Sequence, residues 1–252
     1  MSAGISRRKL LAGASVATGA AGLAIAARLA RRYGLIPPDS GGIFGAAETL
    51  TYASQRILMA RHPLAREFDR SQISRATPVN GDPPEDETYQ RLQTDDFANW
   101  KLSVDGLVAR PASFTLAELK RFPPRTQITH LACEEGWSFI AEWTGVPLSY
   151  LLNLTGVLPQ ARYVAFFPFD ISWDSLDMSD ALHPQTLLAY TMNGQPLTIP
   201  HGAPLRLRVT RQLGYKSVKY LSHILVTDTL KSIRNGLGSI SPDLGYSWYA
   251  GI

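Results

Sequence analysis

In the larger, C-terminal part of the chain, apolar and polar residues alternate in short segments that turn signals separate. Trp100, Leu102 and Val104 alternate with polar residues ahead of Asp105-Gly106, and Asn193-Gly194 is a second pair typical of hairpins. No long helical pattern alternates regularly with these strands, which excludes a doubly wound sheet and a (β/α) barrel. The pattern predicts an α+β fold of mixed, mostly antiparallel sheets with short helices.

Local signals place further elements along the chain. The capping box Thr115-Leu116-Ala117-Glu118 predicts a short helix, and Pro147 favours the start of another helix over residues 147–154. Additional strands are predicted at residues 127–132, 163–169, 205–209 and 220–226.

The first 32 residues have the composition of an export signal. They hold six basic residues and no acidic residue, and residues 10–27 form an uncharged run with eight Ala and three Gly. The pair Arg7-Arg8 ahead of this weakly hydrophobic run predicts a twin-arginine signal over residues 1–32 and delivery to the periplasm. A plain membrane anchor is the alternative. Cleavage after Ala26 and cleavage after Ala47 both fit, and an uncleaved run would tether the protein to the inner membrane.

Charge and composition limit the classes of function. With 45% hydrophobic and 18% charged residues, the chain is globular rather than disordered. It carries 25 basic and 21 acidic residues, and without the first 32 residues the balance is 19 to 21, or −2. A body so close to neutral gives no support to nucleic-acid binding. Residues 33–79 are predicted as a linker with a helix over 49–68, and residues 80–252 as one domain.

Cys133 is the single cysteine, which excludes an internal disulfide and a thiolate-rich zinc site. A lone cysteine is ordinarily a small buried apolar residue. This one ends a predicted strand and precedes the turn Glu134-Glu135-Gly136, in the kind of place where functional sites collect. Two acidic neighbours raise a thiol pKa and oppose a nucleophilic role. A cationic metal would overcome that effect, and a thiolate suits a soft metal centre.

A second group of polar residues surrounds the predicted strand 205–209, in which Arg206 and Arg208 alternate with apolar residues. His201-Gly202 precedes this strand, and the segment 214–219 follows it. Glycines permit close backbone approach, and Arg and Lys suit a phosphate. The glycine spacing matches neither a P-loop nor a dinucleotide fingerprint. A solvated basic face is the ordinary interpretation of this strand, and phosphate binding is the alternative.

Together, these segments resemble the molybdopterin-binding domain of the sulfite oxidase superfamily, and within it the periplasmic protein-methionine-sulfoxide reductases and their bacterial relatives. The resemblance runs from about Asn80 to the C-terminus and rests on the order and spacing of several blocks. These blocks are residues 100–108 with Pro111, 133–138, 143–148, 163–166, 180–187, 201–206 and 214–219. The resemblance implies a sulfite-oxidase-type fold over residues 80–252 and one molybdenum–molybdopterin cofactor per chain.

The resemblance also implies a role for each matching residue. Cys133 matches the cysteine that ligates molybdenum, and its thiolate would join the two sulfurs of the pterin there. Arg206 matches the arginine that holds the cofactor's phosphate. The other implied cofactor-binding residues are Asn80, His201, Gly214, Lys216, Ser217 and Lys219. His183 lies in a matched block and is interpreted as structural.

The residues after Cys133 depart from the sulfite oxidases, where Asn and Arg follow the cysteine and the Arg helps to hold the sulfite dianion. Here Glu134 and Glu135 would repel an anion, and Trp137 offers an apolar wall. This favours a neutral S-oxide or N-oxide substrate that is reduced by oxygen-atom transfer. Pro168 stands where the sulfoxide reductases place a threonine that contacts the cofactor.

The sequence has no Cys-x-x-Cys-His haem motif and no set of iron–sulfur cysteines, so electrons must pass through a separate partner. The resemblance implies a membrane haem protein of the cytochrome b type as that partner, and it implies a monomer. Three alternatives stay open. They are a sulfite-oxidase-like oxidation, a non-catalytic module that only binds the pterin, and a cofactor-free hydrolase in which His130 or His201 serves Cys133 as base.

Overall fold

The computed structural model describes residues 36–41, 45–61 and 64–252. The predicted export signal over residues 1–32 lies outside the described residues, as does the cleavage position after Ala26. Across the described ranges, the structure contains no helix that is both long enough and apolar enough to span a membrane.

Short strands account for most of the regular structure. Within the described residues they are β1 (Lys101–Gly106), β2 (Ala112–Thr115), β3 (Arg125–Ala132), β4 (Ser138–Pro147), β5 (Tyr163–Pro168), β6 (Asp174–Asp177), β7 (Thr186–Met192), β8 (Gln195–Pro196), β9 (Arg206–Val209) and β10 (Leu221–Thr227). They form one sheet in the order β2-β1-β10-β5-β6 and a second in the order β3-β4-β7-β8, with β9 paired to β7. Among these pairings, only β1 with β10 is parallel. The predicted α+β fold with mostly antiparallel sheets is therefore confirmed.

The helices are short and lie between strands or ahead of them. They are α1 (Gly45–Arg61), α2 (Glu87–Thr94), α3 (Leu116–Leu119), α4 (Leu148–Thr155) and α5 (Met178–Ala181). The capping box at α3 is present, because the Thr115 hydroxyl accepts from the Glu118 N–H and the Glu118 carboxylate accepts from the Thr115 N–H. Pro147 caps the start of α4, and Gly156 ends that helix in the left-handed region with φ 73°.

The first sheet buries the residues that the alternating pattern selects. Trp100, Leu102 and Val104 are all buried in the main core. The indole N–H of Trp100 donates to the Leu221 carbonyl at 3.0 Å, which ties the start of β1 to β10. Burial of these side chains, at roughly 25 cal/mol per Å² of apolar surface, is what holds the strands together.

The second sheet curls, so that its outer strands approach each other. The Gln127 side chain on β3 donates to the Thr210 hydroxyl just after β9 at 2.9 Å. The Arg208 guanidinium on β9 donates to the His130 carbonyl on β3 at 2.6 Å. Side chains on the concave face are therefore enclosed, and both Arg206 and Arg208 are buried. The interpretation of strand 205–209 as carrying a solvated basic face is wrong, because the curl turns that face inward.

Two boundaries differ from the sequence prediction. The helix predicted over residues 49–68 is α1, which begins at Gly45 and ends at Arg61. Asp105 and Gly106 belong to the end of β1, and the chain reverses only after them, before β2 pairs with β1 through Lys101 and Thr115. Gly106 keeps a positive φ of 86°, and a Cβ there would lie 2.2 Å from the Val226 carbonyl oxygen. The glycine therefore serves a close approach to β10 rather than a tight hairpin turn.

Helix α1 packs on the last residues of the chain. Tyr52 makes edge-to-face contacts with Trp248 and Tyr249, with ring centroids 6.0 and 5.0 Å apart. The Arg56 guanidinium lies 3.4 Å from the Asp177 carboxylate and 3.3 Å from that of Asp180. The N-terminal helix thus supports the C-terminal segment, which in turn forms part of the wall of the cavity described next.

Candidate functional site

A cavity of about 290 Å³ opens where β3 ends, beside the segments that lead into and out of β9. The loop at Asn80, the turn after Cys133, and the C-terminal segment near Tyr246 enclose it. The predicted cofactor-binding residues on its wall are Asn80, Cys133, His201, Arg206, Gly214, Ser217 and Lys219. Seven positions that are far apart in the sequence therefore share one space of the size of small-molecule sites.

Cys133 is held by a tight turn at the end of β3. Its N–H donates to the Trp137 carbonyl at 2.9 Å, and its carbonyl accepts from the Gly136 N–H at 3.2 Å. Gly136 has a φ of 91°, a left-handed conformation that glycine adopts without strain. The turn projects the thiol into the cavity, although only 7% of the residue is exposed.

Two polar side chains contact the Cys133 sulfur. It donates to a Glu134 carboxylate oxygen at 3.3 Å, and the Asn80 amide approaches it at 3.7 Å. Burial raises the pKa of the thiol, and the charge of Glu134 raises it further. The group is therefore a poor free nucleophile, whereas binding to a cationic metal would compensate the cost of its deprotonation.

Arg206 supplies a buried positive charge on the same cavity wall. Its guanidinium donates to the carbonyls of His201 and Ser217, each at 3.0 Å. Its Nε has no hydrogen-bond partner within the described part of the chain. Burial lowers the pKa of Arg206 to about 10. A buried cation with an unsatisfied donor is a site that an anionic group would complete.

Lys219 and His201 add to the basic side of the cavity. The Lys219 ammonium donates to the Asn80 carbonyl at 2.7 Å and to the Pro200 carbonyl at 3.2 Å. Burial, and secondly the charge of Arg206, lower the pKa of Lys219 to about 8. Burial, followed by the charges of Arg206 and Lys219, lowers the pKa of His201 to about 4. His201 is therefore a neutral hydrogen-bonding group at neutral pH.

Two glycines allow the backbone to approach closely at this site. A Cβ on Gly214 would lie 3.2 Å from the Ala132 carbonyl oxygen and 3.6 Å from the Cys133 Cα. A Cβ on Gly202, which has a φ of 100°, would lie 2.9 Å from the Lys219 Cβ. Gly214 lets its segment lie against the end of β3, and Gly202 lets the backbone ahead of β9 lie against Lys219, which explains why the sequence has glycine at both positions.

Lys216 differs from the other predicted cofactor-binding residues. Its side chain does not reach the cavity but forms a buried ion pair with Asp174, and it also donates to the Ser175 carbonyl at 2.9 Å. The Ser217 hydroxyl is similarly occupied, because it accepts from the Val209 N–H at 3.0 Å. These contacts hold the segment 214–219 in place on the side away from the cavity. The partner of the Lys216 side chain is therefore Asp174, a residue of the chain itself.

Acidic and apolar side chains also line the cavity. Glu134, Asp82 and Asp170 line it, together with Trp137, which stacks on Phe139 at 6.1 Å between ring centroids. Glu134 and Trp137 therefore line the cavity as predicted, whereas Glu135 is not on its wall and accepts from the Trp137 indole N–H at 3.0 Å. Sequence reasoning missed other lining residues, namely Asp82, Asp170, Asp174, Tyr215, Leu244 and Tyr246. No local pattern marks them, since only the packing of α1 and the C-terminal segment brings the last of them to the site.

His130, His183 and Pro168 all lie off the cavity wall. His201 is on it, but the described side-chain hydrogen bonds of the Cys133 sulfur go to Glu134 and Asn80 and not to a histidine. This geometry gives no support to a cysteine hydrolase that uses a histidine base. His183 lies away from the cavity and accepts from the Gln185 N–H at 3.2 Å, which agrees with a structural role. Pro168 ends β5 and is also not part of the wall.

The donor set fits a molybdopterin cofactor. A thiol that suits a soft metal and a buried cation that lacks a counter-charge face one cavity. Within the described residues, no group of three or more His, Cys, Asp or Glu could hold a metal ion by itself. A metal at Cys133 would therefore need ligands that arrive with it, as the sulfurs of a pterin would.

Comparisons with known proteins agree with this chemistry. A family model described as oxidoreductase molybdopterin binding domain matches residues 89–233. The chain is 38% identical over 188 residues to the putative protein-methionine-sulfoxide reductase subunit YedZ1 of Azospira oryzae, which covers 75% of this chain and 68% of that protein. It is also 38% identical over 141 residues to the protein-methionine-sulfoxide reductase catalytic subunit MsrP of Xanthomonas campestris, which covers 50% of this chain and 44% of that protein.

Among solved structures, the chain is similar to the sulfane dehydrogenase SoxCD from Paracoccus pantotrophus. The TM-score is 0.50 at 28% sequence identity, over 52% of this chain and 39% of that chain. The similarity therefore covers about two thirds of the Azospira protein but less than half of the Xanthomonas and Paracoccus chains.

Proposed function

Because the chain belongs to the family of oxidoreductases with a molybdopterin-binding domain, we propose that it reduces S-oxide or N-oxide substrates, oxidised methionine in proteins included, by oxygen-atom transfer. When bound, the molybdenum–molybdopterin cofactor supplies the redox chemistry. The residues of the chain bind the cofactor, orient it and shape the space beside it. The observation that best supports this proposal is that the Cys133 sulfur and the buried Arg206 guanidinium face the same cavity.

The residues divide the binding of the cofactor between them. Cys133 would hold the metal through its thiolate, and Arg206 would hold the phosphate through a charge-assisted hydrogen bond. Gly214 and Lys219 would border the pterin with backbone N–H groups and one ammonium. Ser217, whose N–H donates to the Gly214 carbonyl at 2.9 Å, would shape that segment. Asn80 and neutral His201 would offer hydrogen bonds close to the metal and to the phosphate, respectively. The Lys216 side chain would support the site through its ion pair with Asp174 rather than contact the cofactor.

The acidic and apolar part of the cavity wall favours a neutral substrate. Glu134 and Asp170 place negative charge on the wall, and Trp137 presents an apolar surface. An anion such as sulfite would be repelled there, whereas an S-oxide carries no net charge. Reduction of the S-oxide takes up two electrons and two protons, leaves the sulfide and releases the oxygen atom as water.

The electrons would come from a membrane haem protein of the cytochrome b type, and the enzyme would work in the periplasm as a monomer. The sequence supports this with its twin-arginine pair and with its lack of a haem or iron–sulfur motif. The names of two relatives, a reductase subunit and a reductase catalytic subunit, support the direction of the reaction.

The proposal can be tested on the purified full-length protein from a host that makes the cofactor. Molybdenum is measured by mass spectrometry, and activity is measured with a reduced viologen dye as electron donor. The substrates are methionine sulfoxide, dimethyl sulfoxide and trimethylamine N-oxide, and sulfite with an artificial electron acceptor serves as comparison. We expect molybdenum in the protein and reduction of at least one S-oxide or N-oxide. Sulfite oxidation without oxide reduction would reverse the proposed direction, and bound pterin without either activity would indicate a binding module.

A further inference from the structure

Arg208 is a second fully buried guanidinium behind the cofactor cavity. It lies two residues after Arg206 on the same face of β9, and no part of it is exposed to solvent. Both guanidiniums lie over the ring of Trp143, with their central carbons 5.1 Å (Arg206) and 5.6 Å (Arg208) from the ring centroid. The two cations therefore share one enclosed space inside the curled sheet.

The hydrogen bonds of Arg208 all go to neutral acceptors. It donates to the Val209 carbonyl at 2.8 Å, to the His130 carbonyl at 2.6 Å and to the Thr129 hydroxyl at 3.4 Å. Its Nε, like that of Arg206, has no partner among the described residues. Two of these acceptors belong to β3, three and four residues before Cys133. Arg208 thus joins the strand that carries Arg206 to the strand that carries the thiol.

The charge of the two arginines is not balanced by the protein. All 21 Asp and Glu residues of the chain lie within the described residues, and none of them forms an ion pair with Arg206 or Arg208. Burial, and secondly the charge of Arg206, lower the pKa of Arg208 to about 9. Such an arrangement costs folding free energy unless an anion compensates it.

We propose that Arg208 is a positioning residue of the cofactor site, whose charge is compensated only when the anionic cofactor occupies the cavity beside Arg206. This inference rests on the proposed function and adds a residue that does not itself reach the cavity wall. Arg208 would act in two ways. Its charge adds to the field of Arg206 that attracts the phosphate, and its bonds to β3 fix the distance between the phosphate-binding strand and Cys133.

The test is Arg208→Met in the full-length protein, which keeps the length and apolar bulk of the side chain. Two quantities are measured: molybdenum per chain after purification, and the melting temperature of cofactor-free protein made in a host that lacks the cofactor. We expect the affinity of the variant for the cofactor to fall about 10- to 100-fold, as it does when residues that hold metal ligands in place are removed. Molybdenum per chain should fall with it. The melting temperature of the cofactor-free variant should not be lower than that of the wild type, since an uncompensated buried charge has been removed.

Two further variants separate charge from packing. Arg208→Lys keeps the charge and should restore part of the molybdenum content. Arg211→Met removes another buried arginine from the same part of the chain, but the charge of Arg211 acts on the carboxylate of Asp180, whose pKa it lowers. That control should lose thermal stability and keep wild-type molybdenum per folded chain.

Each outcome decides the inference. Wild-type molybdenum content in Arg208→Met overturns it, and so does a cofactor-free variant that melts lower than wild type or does not fold. Failure of Arg208→Lys to restore any molybdenum overturns the role of the charge. The proposed function is tested separately by the wild-type protein. If wild type contains no molybdenum, the proposed function fails. If wild type and Arg208→Met contain the same amount of molybdenum per chain, only the role of Arg208 fails.

Discussion

Buried charges in this protein occur in two regions that are arranged in opposite ways. Arg206 and Arg208, the inner cation pair, donate only to neutral oxygen atoms and each keep an unpartnered Nε. The outer region comprises Lys216 with Asp174, and Arg56 with Asp177 and Asp180, and every one of these cations contacts a carboxylate. Position in the sequence does not separate the regions, because Lys216 follows Arg206 closely.

The difference teaches how to distinguish structural charges from ligand-binding charges. A buried cation that the chain itself neutralises contributes to folding, and removing its partner leaves an uncompensated charge. A buried cation without an internal counter-charge costs stability and is balanced by something that binds. By this criterion, the inner cation pair belongs to the cofactor and the outer pairs belong to the fold. Substitutions in the two regions should therefore have opposite effects on stability and on cofactor content.

The largest effect on stability is expected for Lys216→Met. Both members of the Lys216–Asp174 pair are almost completely buried, so the variant leaves Asp174 without its partner. Loss of one member of a buried pair costs about 3–5 kcal/mol of unfolding free energy. Denaturant titration measures this loss, and molybdenum per folded chain should stay at the wild-type level. Exposed Lys231→Met is the matched control. Unchanged stability together with lost molybdenum would show that Lys216 acts on the cofactor after all.

Among substitutions of the buried charges, Arg206→Ala should have the largest effect on cofactor binding. A charge-assisted hydrogen bond contributes about 1.5–3 kcal/mol, which corresponds to roughly a 10- to 150-fold loss of affinity. Occupancy, measured as molybdenum per chain, should fall rather than only the rate of turnover. Arg125→Ala removes an arginine from a partly exposed pair with Glu67 and should not change the occupancy. Full occupancy in Arg206→Ala would refute the phosphate role.

The sequence was sufficient for the elements of the fold and for most of the site. Periodicity and turn residues located β1, β3, β5, β9, β10 and the hairpin at Asn193-Gly194, but not β2, β4 or β6. The order of the matching blocks located Cys133, Arg206 and Lys219. It was insufficient wherever the answer depended on curvature or on distant packing. The alternation in β9 defines two faces, but only the curl of the sheet decides that the arginine face is buried. Similarly, the segment 214–219 does not reveal that Lys216 pairs with Asp174, more than forty positions away.

Asp180 in the outer region provides a pH-dependent prediction. Burial, and secondly the charge of Asp177, raise the pKa of Asp180 from its ordinary value near 3.8 to about 6. The folded state therefore binds this proton more tightly than the unfolded state. The resulting stabilisation is present below pH 4 and is lost as the pH rises through about 6. Arg56 and Arg211 oppose the shift.

The test compares wild type with Asp180→Asn, which cannot titrate at this position. One pKa unit corresponds to about 1.4 kcal/mol. Because Asp180 and Asp177 interact, the proton belongs to the pair rather than to Asp180 alone. We expect the unfolding free energy of wild type to rise by about 1–2 kcal/mol relative to that of the variant between pH 7 and pH 4.5. Chemical denaturation at both pH values measures the difference. A stability difference that does not change with pH would contradict the raised pKa.

The smallest effect is expected for His201→Asn in the inner region. The pKa of His201 is lowered to about 4, so the ring is neutral at pH 7 and an amide can replace it as a hydrogen-bonding group. Molybdenum content and the rate of oxide reduction should therefore stay within a few-fold of wild type. Loss of most of the cofactor in this variant would show that the imidazole itself, rather than a neutral polar group, is required.

The most direct test of the central claim is the molybdenum content of Cys133→Ser beside that of wild type, measured on full-length protein from the same host. Serine preserves the size of the side chain but replaces the soft sulfur donor with a hard oxygen. We predict stoichiometric molybdenum in wild type and almost none in the variant, at an unchanged melting temperature of the cofactor-free proteins. Equal molybdenum in both proteins, or none in the wild type, would contradict the assignment of this cavity as a molybdenum site.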